Sequence, residues 1–281
     1  DLQQFLQWKE QPDHKFYHYD CYRDNCSTRI RDALDRAVKG AIQRQTGALP
    51  AGTTFRFHTQ RLTTTTPLVF TGLLIALGER VDRPISVWEE MFIPMAMRDH
   101  LRRVKVTGPG GTVVPLVKAE RTLFESTAPA PPDSPPNWIS RYFLIGLAIG
   151  AGAFGLAKKA GTSGPARSAF LTLTAGWTLL AGLAGIILAG LWGLTDHAMA
   201  ACNENLLQMN PLSLALLPLL PGFLRGNRSA PVAGLAAGIA MLSLAGLALQ
   251  VLPWFQQVNG PVIALALPAH LGVAAALRRL R

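Results

Sequence analysis

Residues 17–32 read Tyr17-His18-Tyr19-Asp20-Cys21-Tyr22-Arg23-Asp24-Asn25-Cys26-Ser27-Thr28-Arg29-Ile30-Arg31-Asp32 and pass from aromatic alternation into the start of a helix. Asn25 is a good N-cap residue, and the apolar residues after it recur every three or four positions, which predicts a helix ending near Gln45. Cys26 would lie in the first turn, four residues before Ile30, on the side that we expect to face the core. The partial positive charge of a helix N-terminus stabilises a thiolate and lowers its pKa, so this position suits a cysteine nucleophile.

A buried, unreactive cysteine would fit the same pattern, because free cysteines are among the most buried side chains. The chain has three cysteines, Cys21, Cys26 and Cys202, which are too few for a disulfide scaffold. A bridge between Cys21 and Cys26 would close a tight loop and block Cys26, so we expect both thiols to be free. Sequence position alone leaves the nucleophile and the inert thiol equally open.

The 281 residues divide by composition at a proline-rich segment, residues 128–137. Most charged residues precede this segment, whereas Leu, Ala and Gly dominate the residues after it. We therefore predict a soluble domain over residues 1–127, a stiff linker over 128–137 and a membrane domain over 138–281. The net charge is +10, but much of the basic excess lies at the ends of apolar runs, where it sets membrane topology. We expect the chain to bind a membrane and no nucleic acid.

Five apolar segments lie beyond the linker: residues 138–157, 169–194, 212–224, 232–251 and 262–277. The first two are long enough to cross about 30 Å of hydrocarbon, whereas the third is short and could start earlier, near Leu206. With five crossings, the basic residues between and after the segments fall on one side: Lys158, Lys159, Arg167, Arg225, Arg228, Arg278, Arg279 and Arg281. By the positive-inside rule that side, with the C-terminus, is cytoplasmic. The Cys26 domain and His197 then share the periplasmic face of a bacterial inner membrane.

A cysteine nucleophile needs a base, usually histidine, and donors that polarise the carbonyl under attack. Backbone N–H groups at the start of the Cys26 helix, with the Asn25 side chain, are the predicted oxyanion site. The histidines on the predicted outer side are His14, His18, His58, His100 and His197. His58 lies on an alternating segment and could face either the core or solvent.

The loop over residues 195–211 sets His197 among polar side chains between two apolar segments, where a plain connector could be shorter. Two interpretations stay open: a solvated loop, or a site between the soluble domain and the bilayer. The asparagines of this loop are Asn203, Asn205 and Asn210. Because no His, Cys or Asp cluster has ligand spacing, we predict neither a metal nor a cofactor.

Several blocks of the chain resemble the Lnb family. Tyr19-Asp20, followed by Asp24-Asn25-Cys26-Ser27-Thr28-Arg29-Ile30-Arg31-Asp32, resembles the signature of the Lnb N-terminal periplasmic domain. Three later runs are similar to that family too: Leu77-Gly78 to Asp82-Arg83, Trp88-Glu89-Glu90-Met91-Phe92-Ile93-Pro94 and Pro115-Leu116-Val117. The loop with His197 is similar to one in the Lnb membrane portion, so the resemblance extends to about Pro211.

The resemblance implies an α+β, permuted papain-like periplasmic domain, related to the NlpC and lecithin:retinol acyltransferase groups, followed by an all-α membrane domain of about five helices. It implies a lipoprotein N-acyltransferase. A phospholipid would donate an acyl chain to Cys26 as a thioester, and the α-amine of a diacylglyceryl-cysteine lipoprotein would accept it. We expect Cys26, Asn25 and His197 to be catalytic. Substrate-binding roles are expected for Tyr19, Asp20, Arg29, Asn203, Asn205 and Asn210.

The chain departs from the family pattern in one respect. In permuted cysteine folds the catalytic histidine lies on a strand before the cysteine, within a Gly-His segment, and this chain has no Gly-His. Either an upstream part is absent from this sequence, which leaves the soluble domain short of strands, or another histidine is the base. His197 is then the first candidate.

Two other functions stay open. A membrane-anchored cysteine peptidase or amidase acting on cell-wall peptide would use the same nucleophile but would have no need of a polar loop at the membrane. A non-catalytic envelope scaffold would use Cys26 only for packing.

Overall fold

The computed structural model describes residues 2–226 and 231–281 and divides into two compact units. The first unit comprises Asp1–His58 and Arg83–Asp133, and the second comprises Thr59–Asp82 and Ser134–Arg281. The division after Asp133 falls inside the predicted linker. Arg228, one of the residues used to predict topology, lies outside the described residues.

The first unit consists of short elements. Its helices are α1 (Leu2–Glu10), α2 (Cys26–Ala37), α3 (Ala41–Thr46), α6 (Val87–Glu90) and α7 (Pro94–Leu101), and α4 (Phe55–Leu62) runs across the division into the second unit. Its strands are β1 (Pro50–Thr54), β2 (Pro84–Ser86), β3 (Lys105–Thr107) and β4 (Val113–Pro115). A small apolar core of Ile42, Met91 and Val104 lies between them.

The strands form two separate antiparallel pairs within the described residues. Strand β1 pairs with β2 through Pro50 opposite Ser86, and β3 pairs with β4 in the hairpin that the sequence predicts near residues 104–117. Two-stranded sheets are too small to identify a papain-like sheet, so that part of the fold class stays a prediction.

The helix predicted to run from Asn25 to near Gln45 is wrong in its length, because it is broken into α2 and α3. Lys39 and Gly40 adopt left-handed backbone conformations, with φ of 54° and 81°, which end α2. The carboxylate of Asp35 then accepts hydrogen bonds from the backbone N–H groups of Ile42 and Gln43, at 2.9 and 3.0 Å. A side chain of the first helix thereby satisfies the start of the second.

The described part of the second unit contains five segments long and apolar enough to cross a membrane, which confirms the predicted count. Four are the continuous helices α8 (Ile139–Ala160), α9 (Gly164–Gly193), α11 (Val232–Leu249) and α12 (Gly260–Leu280). The other, Glu204–Leu224, begins as two 3-10 helices, Glu204–Leu207 and Pro211–Ala215, and continues as α10 (Leu216–Leu224). It starts earlier than residue 212, close to the alternative that the sequence allowed.

The predicted soluble domain, residues 1–127, includes residues 59–82, but in the structure these residues belong to the second unit. They include α5 (Pro67–Ala76), an apolar helix that begins at a proline after Thr66. The Phe70 ring lies 4.5 Å from that of Trp138, between ring centroids, and the Thr71 hydroxyl lies 2.6 Å from the Tyr142 hydroxyl. This segment therefore packs on the start of α8.

Helices α8 and α12 approach so closely that glycine is required at their crossing. A Cβ atom added at Gly272 would lie 2.2 Å from the Cα of Gly150, and one added at Gly146 would lie 2.1 Å from the Leu265 carbonyl oxygen. Small residues let membrane helices pack backbone to backbone, which supplies the dispersion energy that replaces the hydrophobic effect in lipid.

A buried polar network anchors the irregular segment Glu204–Leu224 to three helices. The indole N–H of Trp177 on α9 donates to Nδ1 of His270 on α12, at 3.3 Å, and His270 Nε2 lies 2.9 Å from the Gln208 carbonyl oxygen. The Gln208 side chain exchanges hydrogen bonds with Ser243 on α11. Since Nδ1 accepts and Nε2 donates, this geometry holds His270 as a neutral imidazole.

We expect His270→Leu to destabilise the second unit by about 1–3 kcal/mol, because it leaves the Trp177 N–H and the Gln208 carbonyl buried without this partner. Unfolding of the purified protein in detergent measures the change. Leu271→Ala is the matched control at the next, exposed position of α12 and should change stability by no more than about 0.5 kcal/mol. Equal losses in the two variants would show that the network contributes nothing.

Candidate active site

Cys26 is the first residue of α2 and is exposed. The Asn25 side chain caps the helix: its Oδ1 accepts from the Thr28 N–H at 2.9 Å, and the Thr28 hydroxyl oxygen accepts from the Asn25 N–H at 2.8 Å. This reciprocal capping box fixes the first turn. Within the described residues, the N–H groups of Cys26 and Ser27 have no hydrogen-bond acceptor and remain available to a ligand.

The predicted core-facing position of Cys26 is wrong. The buried residues of α2 are Ser27, Thr28, Arg31 and Asp35, whereas Ile30 is 54% exposed. Polar bonds turn this face inward: the Ser27 hydroxyl donates to the Met91 carbonyl, and the Arg31 guanidinium to the Trp88 carbonyl, each at 2.8 Å. The burial that the inert-cysteine alternative assumed is therefore contradicted. Cys21 and Cys26 are both free thiols, as expected.

The Asn25 amide is used for structure rather than for an oxyanion. Its Nδ2 donates to the Cys21 carbonyl at 2.9 Å and to the Phe92 carbonyl at 3.0 Å, so both amide hydrogens are committed. This corrects the predicted role of the Asn25 side chain. The backbone N–H groups of Cys26 and Ser27 are the donors that can stabilise an oxyanion here.

Asp20 and Arg29, predicted to bind substrate, shape the loop before Cys26. One Asp20 carboxylate oxygen accepts from the N–H groups of Tyr22 and Arg23, at 2.8 and 3.0 Å. Arg29 forms a two-bond ion pair with Asp24.

Tyr19 remains 62% exposed and is open to a ligand. Burial of its hydroxyl, with smaller contributions from the charges of Cys21 and Cys26, raises the pKa of Tyr19.

A cluster that the sequence does not reveal lies in the same unit. The Glu90 carboxylate bridges two imidazoles: Oε1 lies 2.8 Å from His58 Nε2, and Oε2 lies 2.6 Å from His100 Nε2. The Thr53 hydroxyl donates to Oε1 at 2.9 Å. His58 is buried, at 3% exposure, and Glu90 is 9% exposed.

The Glu90 carboxylate determines which nitrogen of each ring faces it with a hydrogen. Burial alone would raise the pKa of Glu90, but hydrogen bonds from His100, His58 and Thr53 outweigh it and lower that pKa well below the ordinary range. An ionised carboxylate accepts hydrogen bonds, so each Nε2 carries the hydrogen and each Nδ1 is the basic nitrogen of the neutral ring. A carboxylate that orients a histidine in this way is a recurring part of nucleophilic active sites.

The segment Glu90-Met91-Phe92 links this cluster to the start of α2. Its Met91 and Phe92 carbonyls accept from Ser27 and Asn25, the two neighbours of Cys26. The Phe92 ring also contacts the rings of Tyr22 and His58, with centroids 5.5 and 5.9 Å apart. The segment Glu90-Met91-Phe92 therefore contacts both the start of α2, next to Cys26, and the two histidines of the Glu90 cluster.

The amides of the loop in the second unit are structural. Asn203 Nδ2 donates to the carbonyls of Ile75 and Ala76, and Asn205 Nδ2 to those of Leu74 and Ile75, at 2.9 to 3.2 Å. Both asparagines are at most 1% exposed, and they satisfy the last turn of α5.

The Nδ2 groups of Asn203 and Asn205 are therefore committed to α5, whereas Asn205 Oδ1 is buried without a hydrogen-bond partner within the described residues; contact of these asparagines with substrate stays a prediction. Asn210 caps the second 3-10 helix by accepting from the Leu212 N–H at 2.9 Å. His197 is exposed in the second unit, and its Nδ1 lies 2.9 Å from the Thr195 hydroxyl.

No local signal in the sequence points to the Glu90 cluster. Its members are 32 and 10 residues apart along the chain, and only the fold joins them. The capping box predicted for Ser86 and Glu89 does start α6, which carries the buried Glu90, but it does not indicate the two histidines.

We expect Glu90→Gln to lower the stability of the protein by about 1–3 kcal/mol at neutral pH, because an amide NH₂ would face an imidazole N–H. The folded-state pKa of Glu90 is depressed, so its contribution is fully present above the unfolded-state value, about 4.3, and is lost as pH falls through the folded-state pKa. The gap between native protein and variant should therefore narrow in acid. Unfolding curves across this pH range measure it, with Glu125→Gln, at an exposed position, as control. Equal stability of the native protein and Glu90→Gln at neutral pH would contradict the hydrogen bonds assigned to Glu90.

Comparison with known families matches both halves of the chain. Residues 1–61, which contain Cys26 and His58, match the Lnb N-terminal periplasmic domain. Residues 163–278, which contain His197, three candidate spans and most of a fourth, match the Lnb transmembrane domain. No curated protein and no solved structure shows a significant match.

The two matches come from one family, follow in the expected order and together cover more than half of the chain. With its five apolar spans, the chain fits a bacterial inner-membrane protein. It belongs to the Lnb family, with a periplasmic N-terminal domain followed by a five-helix membrane region, and this membership suggests a lipoprotein N-acyltransferase-like function.

Proposed function

We propose that this protein is a membrane-bound acyltransferase that moves an acyl chain from a phospholipid, through a thioester on Cys26, to the α-amine of a diacylglyceryl-cysteine lipoprotein. The observation that carries the proposal is the exposed Cys26 at the capped start of α2, within the segment that matches the Lnb periplasmic domain. The membrane region attaches the domain that carries this thiol to a bilayer, which contains the phospholipid donor. The C-terminus is cytoplasmic in this proposal.

The first step forms the thioester. The base takes the Cys26 proton, and the sulfur attacks the ester carbonyl carbon of the phospholipid. The C–S bond forms and the ester C–O bond breaks. The leaving alkoxide takes the proton back from the base and departs as lysophospholipid. The free N–H groups of Cys26 and Ser27 stabilise the oxyanion of the tetrahedral intermediate.

The second step transfers the chain. The lipoprotein α-amine attacks the thioester carbonyl, so that a C–N bond forms and the C–S bond breaks. The base carries one amine proton to the departing sulfur. The products are an N-acylated lipoprotein and a free Cys26 thiol, and no cofactor takes part.

We assign the base to His58, oriented by Glu90. Two contacts of the His58 ring support this assignment. Its Nε2 has a carboxylate partner at 2.8 Å, and the ring contacts Phe92, whose carbonyl accepts from Asn25 next to Cys26. His197, the base predicted from the sequence, is the second candidate, since it is exposed in the loop that resembles the Lnb membrane portion.

Cys26→Ala should abolish N-acylation of a reporter lipoprotein in cells that lack other such enzymes, because the acyl carrier is lost. Cys21→Ala is the matched control, five residues away and also exposed, and should retain activity. Mass spectrometry of the reporter's N-terminal peptide measures the outcome. Full activity of Cys26→Ala would exclude the thioester on Cys26.

His58→Ala should slow acylation of Cys26 by about 100-fold or more, since general-base catalysis contributes that much, and the residual rate should rise with pH. The control is His18→Ala, an exposed histidine outside the Glu90 cluster. A single-turnover assay with phospholipid vesicles gives the rate, and cooperative unfolding above the assay temperature shows that the variant is folded. If His197→Ala loses the rate and His58→Ala keeps it, His197 is the base.

A further inference from the structure

A groove lies between α1 and the exposed face of α2, with a volume of about 620 Å³. We call it the α1–α2 groove. Its apolar lining comes from Phe5, Leu6 and Trp8 on α1 and from Ile30 and Ala33 on α2. Leu6 and Ile30 are each more than half exposed, so packing within the unit does not account for them. The volume lies in the range of sites that bind small molecules, about 300–1,000 Å³.

The groove shares a helix face with Cys26. Residues three, four, seven and ten positions after Cys26 lie on the same side of a helix, and the groove is lined by the residues at those positions: Arg29, Ile30, Ala33 and Arg36. The floor therefore runs from the first turn of α2, where the thiol lies, along the axis of the helix.

The length of this floor matches one leaflet of a bilayer. From Cys26 to Arg36 the helix rises by about 15 Å, at 1.5 Å per residue. A hydrocarbon core of about 30 Å gives each leaflet about 15 Å, which is the distance that one acyl chain spans. A chain whose carbonyl is at Cys26 would reach the far end of the groove.

The edges of the groove are basic. Lys9, Lys15 and Arg36 have no carboxylate partner within the described residues; instead, Lys9 lies 5.0 Å from the Trp8 ring centroid and Arg36 lies 4.6 Å from that of Phe5. The carboxylate in the lining, Asp32, is paired with Arg31. Uncompensated cations beside an apolar floor suit a lipid with an anionic phosphate.

We infer that the α1–α2 groove binds the acyl chain of the phospholipid donor and so selects the length of the chain that is loaded on Cys26. This inference rests on the proposed function and names the donor's binding site.

Ala33→Trp tests the inference, because it would fill the groove two turns beyond Cys26. The rate of Cys26 acylation is measured by single-turnover intact-protein mass spectrometry with vesicles of dipalmitoyl phosphatidylglycerol and with dioctanoyl phosphatidylglycerol. The long-chain rate should fall by about tenfold or more, and the short-chain rate should be retained. The control is Ala48→Trp, the same substitution at an exposed position of the same unit outside the groove lining, which should leave both rates unchanged.

Ile30→Ala gives a second variant at an exposed position if Ala33→Trp does not fold. Loss of an apolar floor contact should slow the long-chain donor by roughly threefold to tenfold and leave the short-chain donor unaffected. An unchanged chain-length profile in the folded variants would overturn the groove while leaving the proposed function standing. If native protein forms no Cys26 adduct with either lipid, the proposed function itself fails. A variant that is slowed only in transfer to the lipoprotein would assign the groove to the acceptor and overturn the inference.

Discussion

The Asn25 side chain makes three hydrogen bonds on which the candidate active site depends. Its oxygen caps α2, and its two amide hydrogens hold the Cys21 and Phe92 carbonyls. Asn25 is 7% exposed, so these bonds form where water competes little. They bring together the helix that carries Cys26, the loop before it and the segment after Glu90. A capped helix start leaves two backbone N–H groups free, and a tetrahedral oxyanion needs such a pair of donors.

The second unit obeys a related constraint, because backbone polar groups that are buried at membrane depth must find partners inside the protein. The segment Glu204–Leu224 begins with non-α-helical backbone and is held by side chains. Gln208 joins it to α11 and α12, and Asn203 and Asn205 join it to α5. The Nδ2 groups of Asn203 and Asn205, which look like part of a polar binding surface in the sequence, are thus used by the fold. His197 in the same loop is exposed.

The features that the sequence predicts well are those set by local rules. The capping box at Ser86, the hairpin near residues 104–117 and the five spans each depend on neighbouring residues or on composition. The predicted orientation of α2 is wrong because the buried face of this helix is polar. Ser27 and Arg31 donate to carbonyls more than 50 residues away, and the periodicity of apolar residues does not indicate such bonds. For the same reason the Glu90 cluster could not be predicted. Its two histidines and its carboxylate meet only after the fold has formed.

The most direct test of the central claim is the mass of the intact protein, purified from membranes, before and after treatment with hydroxylamine at neutral pH. Thioesters are cleaved by hydroxylamine under these conditions, whereas amides are not. We expect a fatty-acyl adduct that maps to Cys26 and disappears on treatment. A Cys26 that is unmodified and fully alkylatable, even after incubation with phospholipid vesicles, would contradict the acyl-enzyme mechanism.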